Sequence, residues 1–171
     1  MTTLKLEFEG LGKIKHILDK LPDAVAKKVV RKALTAGGQI VLDAMKEKVP
    51  VKTGNLRDSL AMKVLDKSEF AKTVLIGASK GETGKDGWYA HLVEFGASPH
   101  VVKPRKKSGK KVLAENGKFF GKLVQHPGAT ARPFMRPAFD ETADKALETI
   151  KKLLGEGVIK EALKLSGEIT R

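Results

Sequence analysis

The sequence predicts an α+β fold: a long N-terminal helix and a C-terminal helix packed on a small, mostly antiparallel sheet, with a projecting basic β-hairpin arm. Three observations carry the prediction. Apolar residues recur at steps of three and four along 22–48 and again along 139–154, the spacing of one helix face. Between them lie short runs of alternating apolar and polar residues, the spacing of half-buried strands. Aromatic residues make up only 5% of the 171 residues, so a core must come mainly from Leu, Val, Ile and Ala, which suits helices on a small sheet better than an aromatic-rich sandwich. The length and a 41% hydrophobic content suit a single domain over 1–171, with the arm at 99–127 and a helical tail at 156–171.

At the N-terminus Leu4, Leu6 and Phe8 alternate with Lys5 and Glu7, which reads as a short strand or a frayed end. Leu11, Ile14, Leu18 and Leu21 then keep helical spacing up to Pro22. Proline can open a new helical turn because the first helical position needs no N–H, so a kinked or two-part helix is expected. From Pro22 to Lys48 the stripe is Val25, Val29, Ala33, Ala36, Ile40 and Ala44, with Lys27, Lys28, Arg31 and Lys32 mostly on other faces. Gly37-Gly38 inside this helix costs roughly 1 kcal/mol per glycine relative to alanine, so a close packing partner is expected there. Pro50 ends the helix. Thr53-Gly54-Asn55 reads as a turn that aims Arg57 and Ser59 into the next strand.

Leu60, Met62 and Val64 alternate, and 73–76 is rich in β-branched residues, with Asp66-Lys67-Ser68-Glu69 between the two runs, which reads as a β-hairpin. Gly77, Gly81, Gly84 and Gly87 mark a mobile loop before a short amphipathic helix at 88–95, for which Gly96 is a natural C-cap. Residues 100–124 read as strands around a basic tip, 105–111, with a second turn at Asn116-Gly117, the strongest short hairpin signal. Pro133 and Pro137 introduce the last long helix, striped by Phe139, Ala143, Ala146, Leu147, Ile150, Leu153 and Leu154. Gly155 and Gly157 are expected to stop it, leaving 158–165 as a short amphipathic tail.

Composition narrows the chemistry. The absence of cysteine removes disulfides, thiolate metal sites and cysteine nucleophiles, and fits a reducing cytoplasm. Residues 1–8 show no apolar signal region, and no stretch approaches the roughly 20 apolar residues of a membrane span, so a soluble chain with no membrane partner is expected. A formal charge of +13 attracts polyanions such as nucleic acid or acidic protein faces. The excess is local: Lys103, Arg105, Lys106, Lys107, Lys110, Lys111, Lys118 and Lys122 share one segment with Glu115 as its only acid.

Each pattern that suggests catalysis or ligand binding has a plainer structural reading. Lys52-Thr53-Gly54 and Ser108-Gly109-Lys110-Lys111 copy the Lys-Thr-Gly and Ser-x-x-Lys elements of penicillin-binding enzymes, but in reversed order and on a chain far smaller than those enzymes need. The glycine-rich stretch 77–86 lacks the Gly-x4-Gly-Lys spacing of a phosphate loop, and Lys85 precedes Asp86 where that loop needs Ser or Thr. His91 and Glu94 stand at i, i+3 on the short helix, and His100 and His126 flank the arm, but two ligands do not make a metal motif. No serine sits in a Gly-x-Ser-x-Gly turn. No enzyme activity, catalytic residue, cofactor or metal is expected.

Two surfaces remain. The basic arm can bind phosphates or acidic protein patches, or stand as solvated surface whose edge lysines block aggregation; Phe119 and Phe120 are its only interleaved aromatics, so base stacking is not strongly indicated. Arg132-Pro133-Phe134-Met135-Arg136-Pro137 sets cations beside large apolar groups, which fits an oligomer contact, a core helix start, or both.

Three blocks anchor most of the chain: 50–59 (Pro-Val-Lys-Thr-Gly-Asn-Leu-Arg-Asp-Ser), 89–96 (Tyr-Ala-His-Leu-Val-Glu-Phe-Gly) and 126–138, from His-Pro-Gly to Arg-Pro-Phe-Met-Arg-Pro-Ala. Their order and wording resemble the gp-ten-like family of tailed-phage proteins, known as tail-component, neck or tail-completion proteins. The resemblance runs from about Leu11 to about Leu154 and implies a non-enzymatic virion protein of the neck, made in the host cytoplasm. It would join the head to the tail, or complete the tail end, as one subunit of a ring. Implied partners are other copies of the chain, other neck, connector or tail proteins, and the DNA passing through the neck. The alternative is a nucleic-acid-binding protein using the arm. Candidate contact residues are Arg57; Tyr89, Glu94 and Phe95; Lys103, Arg105, Lys106, Lys107, Lys110 and Lys111; and Arg132, Phe134, Met135 and Arg136. The arm is expected to meet an acidic protein rather than DNA, because a strongly positive lumen would grip DNA and impede its passage.

Overall fold

The computed structural model describes residues 23–66, 72–79, 86–104, 113–115, 118–121 and 123–168. The strand and helix expected within 1–22, the basic tip 105–111 and the glycine stretch 80–85 lie outside the described residues. The chain divides into two compact units, Met1–Trp88 with Phe134–Arg171, and Tyr89–Pro133.

In the first unit, α1 spans Asp23–Lys48. Of the expected stripe Val29 and Ala33 are buried while Val25, Ala36, Ile40 and Ala44 are half-buried; in the second half of the helix the buried positions are Val41, Leu42 and Met45 instead, on the side where Gly37 faces Ile150 and Gly38 faces Met62 and Val74. The Val49 N–H still reaches the Met45 carbonyl at 3.0 Å, and Lys46 and Lys48 in the last turn suit the negative end of the helix dipole before Pro50 stops it. Gly54 then takes φ 81°, a backbone conformation open to glycine, and its carbonyl accepts the Asp58 N–H at 2.9 Å. That bond closes a one-turn helix, α2, Asn55–Ser59. Arg57 and Ser59 therefore sit on a helical turn and not in the strand expected to hold them.

The expected hairpin follows: β1 (Leu60–Asp66) pairs antiparallel with β2 (Lys72–Ala78), from Leu60↔Ala78 to Asp66↔Lys72. Gly77 belongs to β2 and not to the following loop. Gly87 is buried, and its N–H donates to the Ser79 carbonyl at 3.0 Å.

The helix here labelled α4 closes the first unit, Met135–Glu168. It runs antiparallel to α1: Gly157 faces Val29, Gly37 faces Ile150, and Lys48 pairs with Glu141. Val29, Ala33, Ile150, Leu154 and Val158 form the buried seam, with Ala26, Val30, Leu34 and Leu153 packed against it. Gly155 and Gly157 do not stop this helix as the sequence suggests. A Cβ on Gly157 would lie 2.6 Å from Val29 Cγ1, so the missing side chain lets α1 approach, and burial of Leu154 and Val158 on either side outweighs glycine's local helix penalty. The Gly37-Gly38 pair works in the same way, as expected. A Cβ on Gly37 would meet Ile150 Cδ1 at 2.5 Å, and one on Gly38 would collide with Met62 and Val74, so consecutive glycines seat α1 against α4 on one side and the hairpin on the other.

The second unit holds α3 (Ala90–Phe95) and short strands β3 (His100–Val102), β4 (Leu113–Glu115), β5 (Lys118–Gly121) and β6 (Val124–His126). β3 pairs antiparallel with β6, and β4 with β5, the latter with a register irregularity at Leu113/Ala114. Glu115↔Lys118 flanks Asn116-Gly117. Gly96 caps α3 as expected, at φ 72° and ψ −171°, a region that is essentially glycine-only.

Candidate interaction surface

The first block, 50–59, splits between inside and outside. Leu56 and Ser59 are buried and fix α2, and the Ser59 hydroxyl donates to the Leu56 carbonyl at 2.8 Å. That packing leaves no room at Gly87, whose Cβ would collide with Ser59 and come 2.6 Å from Ala78 Cβ. Arg57 faces outward, with its Nε 3.6 Å from the Asp58 carboxylate, an exposed pair that adds little to stability. Lys52 and Thr53 are exposed on the turn. Trp88 is exposed too, and its backbone N–H donates to the Asp86 carboxylate at 3.1 Å.

In the second block, the Tyr89 carbonyl accepts the N–H groups of Leu92 (2.9 Å) and Val93 (3.2 Å), which starts α3. Glu94 is buried and Phe95 is 61% exposed, so two consecutive positions of one short helix turn an acid inward and an aromatic ring outward. Among the described residues no buried side-chain nitrogen or oxygen lacks a hydrogen-bond partner. Gly96 holds the chain against a backbone wall: its Cβ would lie 2.6 Å from the Ala129 oxygen and 2.9 Å from the Ala131 nitrogen. Ala97 and Ala129 exchange two N–H···O bonds of 2.9 Å, and the Arg132 N–H reaches the Val93 carbonyl at 2.8 Å.

The third block also separates by side-chain type. Phe134 and Met135 are core residues at 0% and 8% exposure, whereas Arg132 and Arg136 face solvent. The core reading of this apolar pair therefore holds.

His100 and His126, distant in sequence, are brought together as a cross-strand pair with ring centroids 5.0 Å apart and planes 28° from parallel. The Ser98 carbonyl can only accept, so His100 Nδ1, 2.8 Å away, carries its proton and leaves Nε2 as an acceptor. His126 Nδ1 accepts the Gly128 N–H at 3.1 Å, so its neutral ring carries the proton on Nε2. The two tautomers are opposed, and a chelate through both Nε2 atoms would break the Gly128 bond. The stacked pair is thus a structural contact of the β3–β6 ladder. Among the described residues no group of three or more His, Asp or Glu is arranged to hold a metal ion, and no helix is long and apolar enough to cross a membrane.

Lys103 is exposed at the end of β3, and Arg105, Lys106, Lys107, Lys110 and Lys111 lie outside the described residues. The apolar exposure of this unit was missing from the sequence reading: Val101, Phe119, Phe120 and Leu123 all stand open to solvent. One signal could have found it. Phe119 and Phe120 are consecutive in a Lys-flanked stretch, and regular strand alternation would put only one of them on a core face.

Residues 13–96 match the family described as Bacteriophage HK97-gp10, putative tail-component. The matched span contains the first two blocks, with their turn glycines Gly54 and Gly96, and ends before the third. No curated protein and no solved structure matches the chain.

Proposed function

From the premise that residues 13–96 of this chain belong to the HK97-gp10-like family of phage tail components, we propose a non-enzymatic structural subunit of the phage neck. It joins head to tail or completes the tail end, as part of a ring-shaped oligomer in the virion. The observation that carries this reading is where the family-matched blocks put their side chains. Gly54 and Gly96 make turns at positive φ, Leu56, Ser59 and Glu94 anchor them inward, and Arg57 and Phe95 stand outward on rigid one- to two-turn helices. Such outward groups on fixed joints suit contact with neighbouring subunits. A head-to-tail ring needs two different complementary surfaces on each copy, and both the helix pair and the strand-rich unit are available for them.

The test is mass measurement of the purified chain by light scattering, together with immunoblotting of purified particles. A ring-sized oligomer or incorporation into virions is expected. A strict monomer that never enters particles sinks the reading.

The charge of the arm favours a second reading, direct binding of DNA. Eight Lys and Arg against one Glu over 99–127 would make duplex affinity fall steeply with salt. Replacing Lys106, Lys107, Lys110 and Lys111 by Ala would then flatten that slope, and unchanged weak binding removes the arm from the role.

A further inference from the structure

The β1–β2 hairpin has two outer edges, and among the described residues no strand lies along either. The Ser79 N–H donates to the Ser59 carbonyl at 2.8 Å, which continues the register that pairs Leu60 with Ala78. Hydrogen bonds of an antiparallel ladder fall on alternate opposed pairs, here Ala61↔Gly77, Lys63↔Leu75 and Leu65↔Thr73. The backbone N–H and C=O groups of Met62, Val64, Val74 and Ile76 therefore point away from the hairpin, and among the described residues nothing bonds to them. Alternation puts these four residues on the face toward α1, where a Cβ on Gly38 would collide with Met62 and Val74. The opposite face is open at Ala61 and Lys63, which are exposed, and at Gly77, where a Cβ would meet nothing within 4 Å.

Edge strands are normally guarded by shortness, proline, a bulge or a charge. β2 runs seven residues in unbroken register with β1, contains no proline, and carries its only charge at Lys72, its first residue. Val74 and Ile76 stay half-buried although they face α1, as expected of strand residues that lack a neighbour on one side. A second copy of the chain supplies a matching neighbour. β1 is also seven residues long and offers the same alternation of outward backbone groups. Charge and closure decide which edges meet. Pairing β1 with β1, Met62 bonded to Val64, would set the two Lys63 side chains opposite each other. Pairing β2 with β2 would leave both β1 edges open. Pairing β2 with β1 of the next copy avoids both faults, and the two edges are the two different surfaces that a head-to-tail ring needs.

We propose that β2 of one copy adds antiparallel to β1 of the next, so that a continuous sheet stitches the ring. This rests on the ring-subunit reading above. The register that pairs all seven residues bonds Val74 to Val64 and Ile76 to Met62 of the next copy. It sets Leu75 beside Lys63 of that copy as a non-hydrogen-bonded pair, with Cα atoms about 4.5 Å apart and within disulfide reach. The chain has no cysteine of its own, so Leu75→Cys and Lys63→Cys can be made on separate, differently tagged chains and co-expressed. The assembled oligomer, or particles where the free chain is monomeric, is then oxidised with copper phenanthroline. A disulfide between the two variants is expected at least tenfold above that between two copies of either, with the helical circular dichroism signal unchanged. Gly77→Cys with Ala61→Cys, the next pair on the open face, should behave alike and serves where Leu75→Cys does not fold. An excess of disulfides between two Leu75→Cys chains, or between two Lys63→Cys chains, overturns the proposal. So does an oligomer or particle that yields no disulfide from either pair. A chain that is monomeric by light scattering and absent from particles overturns the ring reading as well, which tells the two failures apart.

Discussion

The two units of this chain are held by different means. In the helical unit the apolar residues go inward: Val29, Ala33, Val41, Met45, Phe134, Ala138, Ile150 and Leu154 are buried, and glycines are spaced so that α1 can approach both α4 and the β1–β2 hairpin. In the strand-rich unit Ala90 is buried while Phe95, Val101, Phe119, Phe120 and Leu123 are exposed, and backbone hydrogen bonds tie the chain together: the Ala97–Ala129 bridge, the Arg132-to-Val93 bond, and the β3–β6 and β4–β5 ladders. One unit carries its own hydrophobic stabilisation; the other presents apolar surface outward. Substitutions should therefore act through packing in the first and through backbone geometry in the second.

The sharpest way to break that contrast is Phe134→Ala. The ring is fully buried, and removing a buried Phe side chain typically costs about 3–5 kcal/mol. Urea unfolding followed by the helical signal should show a large fall in midpoint with little change in slope. A shift below about 1 kcal/mol would mean that the helical unit does not depend on this core. Gly37→Leu comes next. Its Cβ alone would sit 2.5 Å from Ile150 and 3.0 Å from the Ala146 oxygen, so overpacking should cost about 3 kcal/mol, the upper end for inserted side-chain volume. Pairing it with Ile150→Ala should recover part of the loss, because the smaller residue opens the space that Leu would fill. Full additivity of the two would show that α1 and α4 are not pressed together at this point.

What the sequence disclosed follows from the same distinction between local and distant causes. Alternation at Leu60, Met62 and Val64 revealed the hairpin because period two is written into neighbouring residues. Gly37-Gly38 revealed a packing partner because two costly glycines inside a strong helix need a compensating contact. Gly155 and Gly157 misled for the opposite reason. Their local penalty is visible in sequence, but Gly157 is relieved by its contact with Val29, more than a hundred residues away, and Gly155 is carried by the burial of Leu154 and Val158. The helix α2 escaped notice because five residues are too few for periodicity, and its nucleus is the Gly54 carbonyl bonded to the Asp58 N–H. Of the candidate contact residues, Arg57 and Phe95 do stand outward, whereas the depth of Glu94, Phe134 and Met135 depends on elements that no short motif specifies. The His100–His126 stack was equally hidden, since only the β3–β6 register brings the rings together.

Gly96→Ala probes the backbone-held unit. At φ 72° and ψ −171° a residue with a Cβ is strained by about 1–3 kcal/mol, and here that carbon would also press on the Ala129 oxygen. The loss should be local. Amide exchange at Ala97 and Ala129 is expected to accelerate about tenfold or more, since each 1.4 kcal/mol of local opening is a factor of ten. The urea midpoint of the helical signal should stay in place. If both move together, the two units unfold as one cooperative block and the contrast between them is wrong.

The smallest expected effect tests the contrast most directly. Phe119→Ser with Phe120→Ser removes two aromatic rings, and in a self-contained fold a pair of Phe residues in a strand would be part of the core. Here both rings are exposed, so the free chain gains little from them. Exposed substitutions away from packed features usually stay within about 0.5 kcal/mol, and that is the predicted change in unfolding free energy of the purified protein. Serine also lowers β propensity, which sets the sign: a slight loss, seen as faster exchange within β4 and β5 and nowhere else. A loss above about 1 kcal/mol in the free chain would show that the rings already pack on something, and the strand-rich unit would then have a core of its own. A silent result in the free chain means that the order of this unit rests on its backbone bonds and not on these two rings.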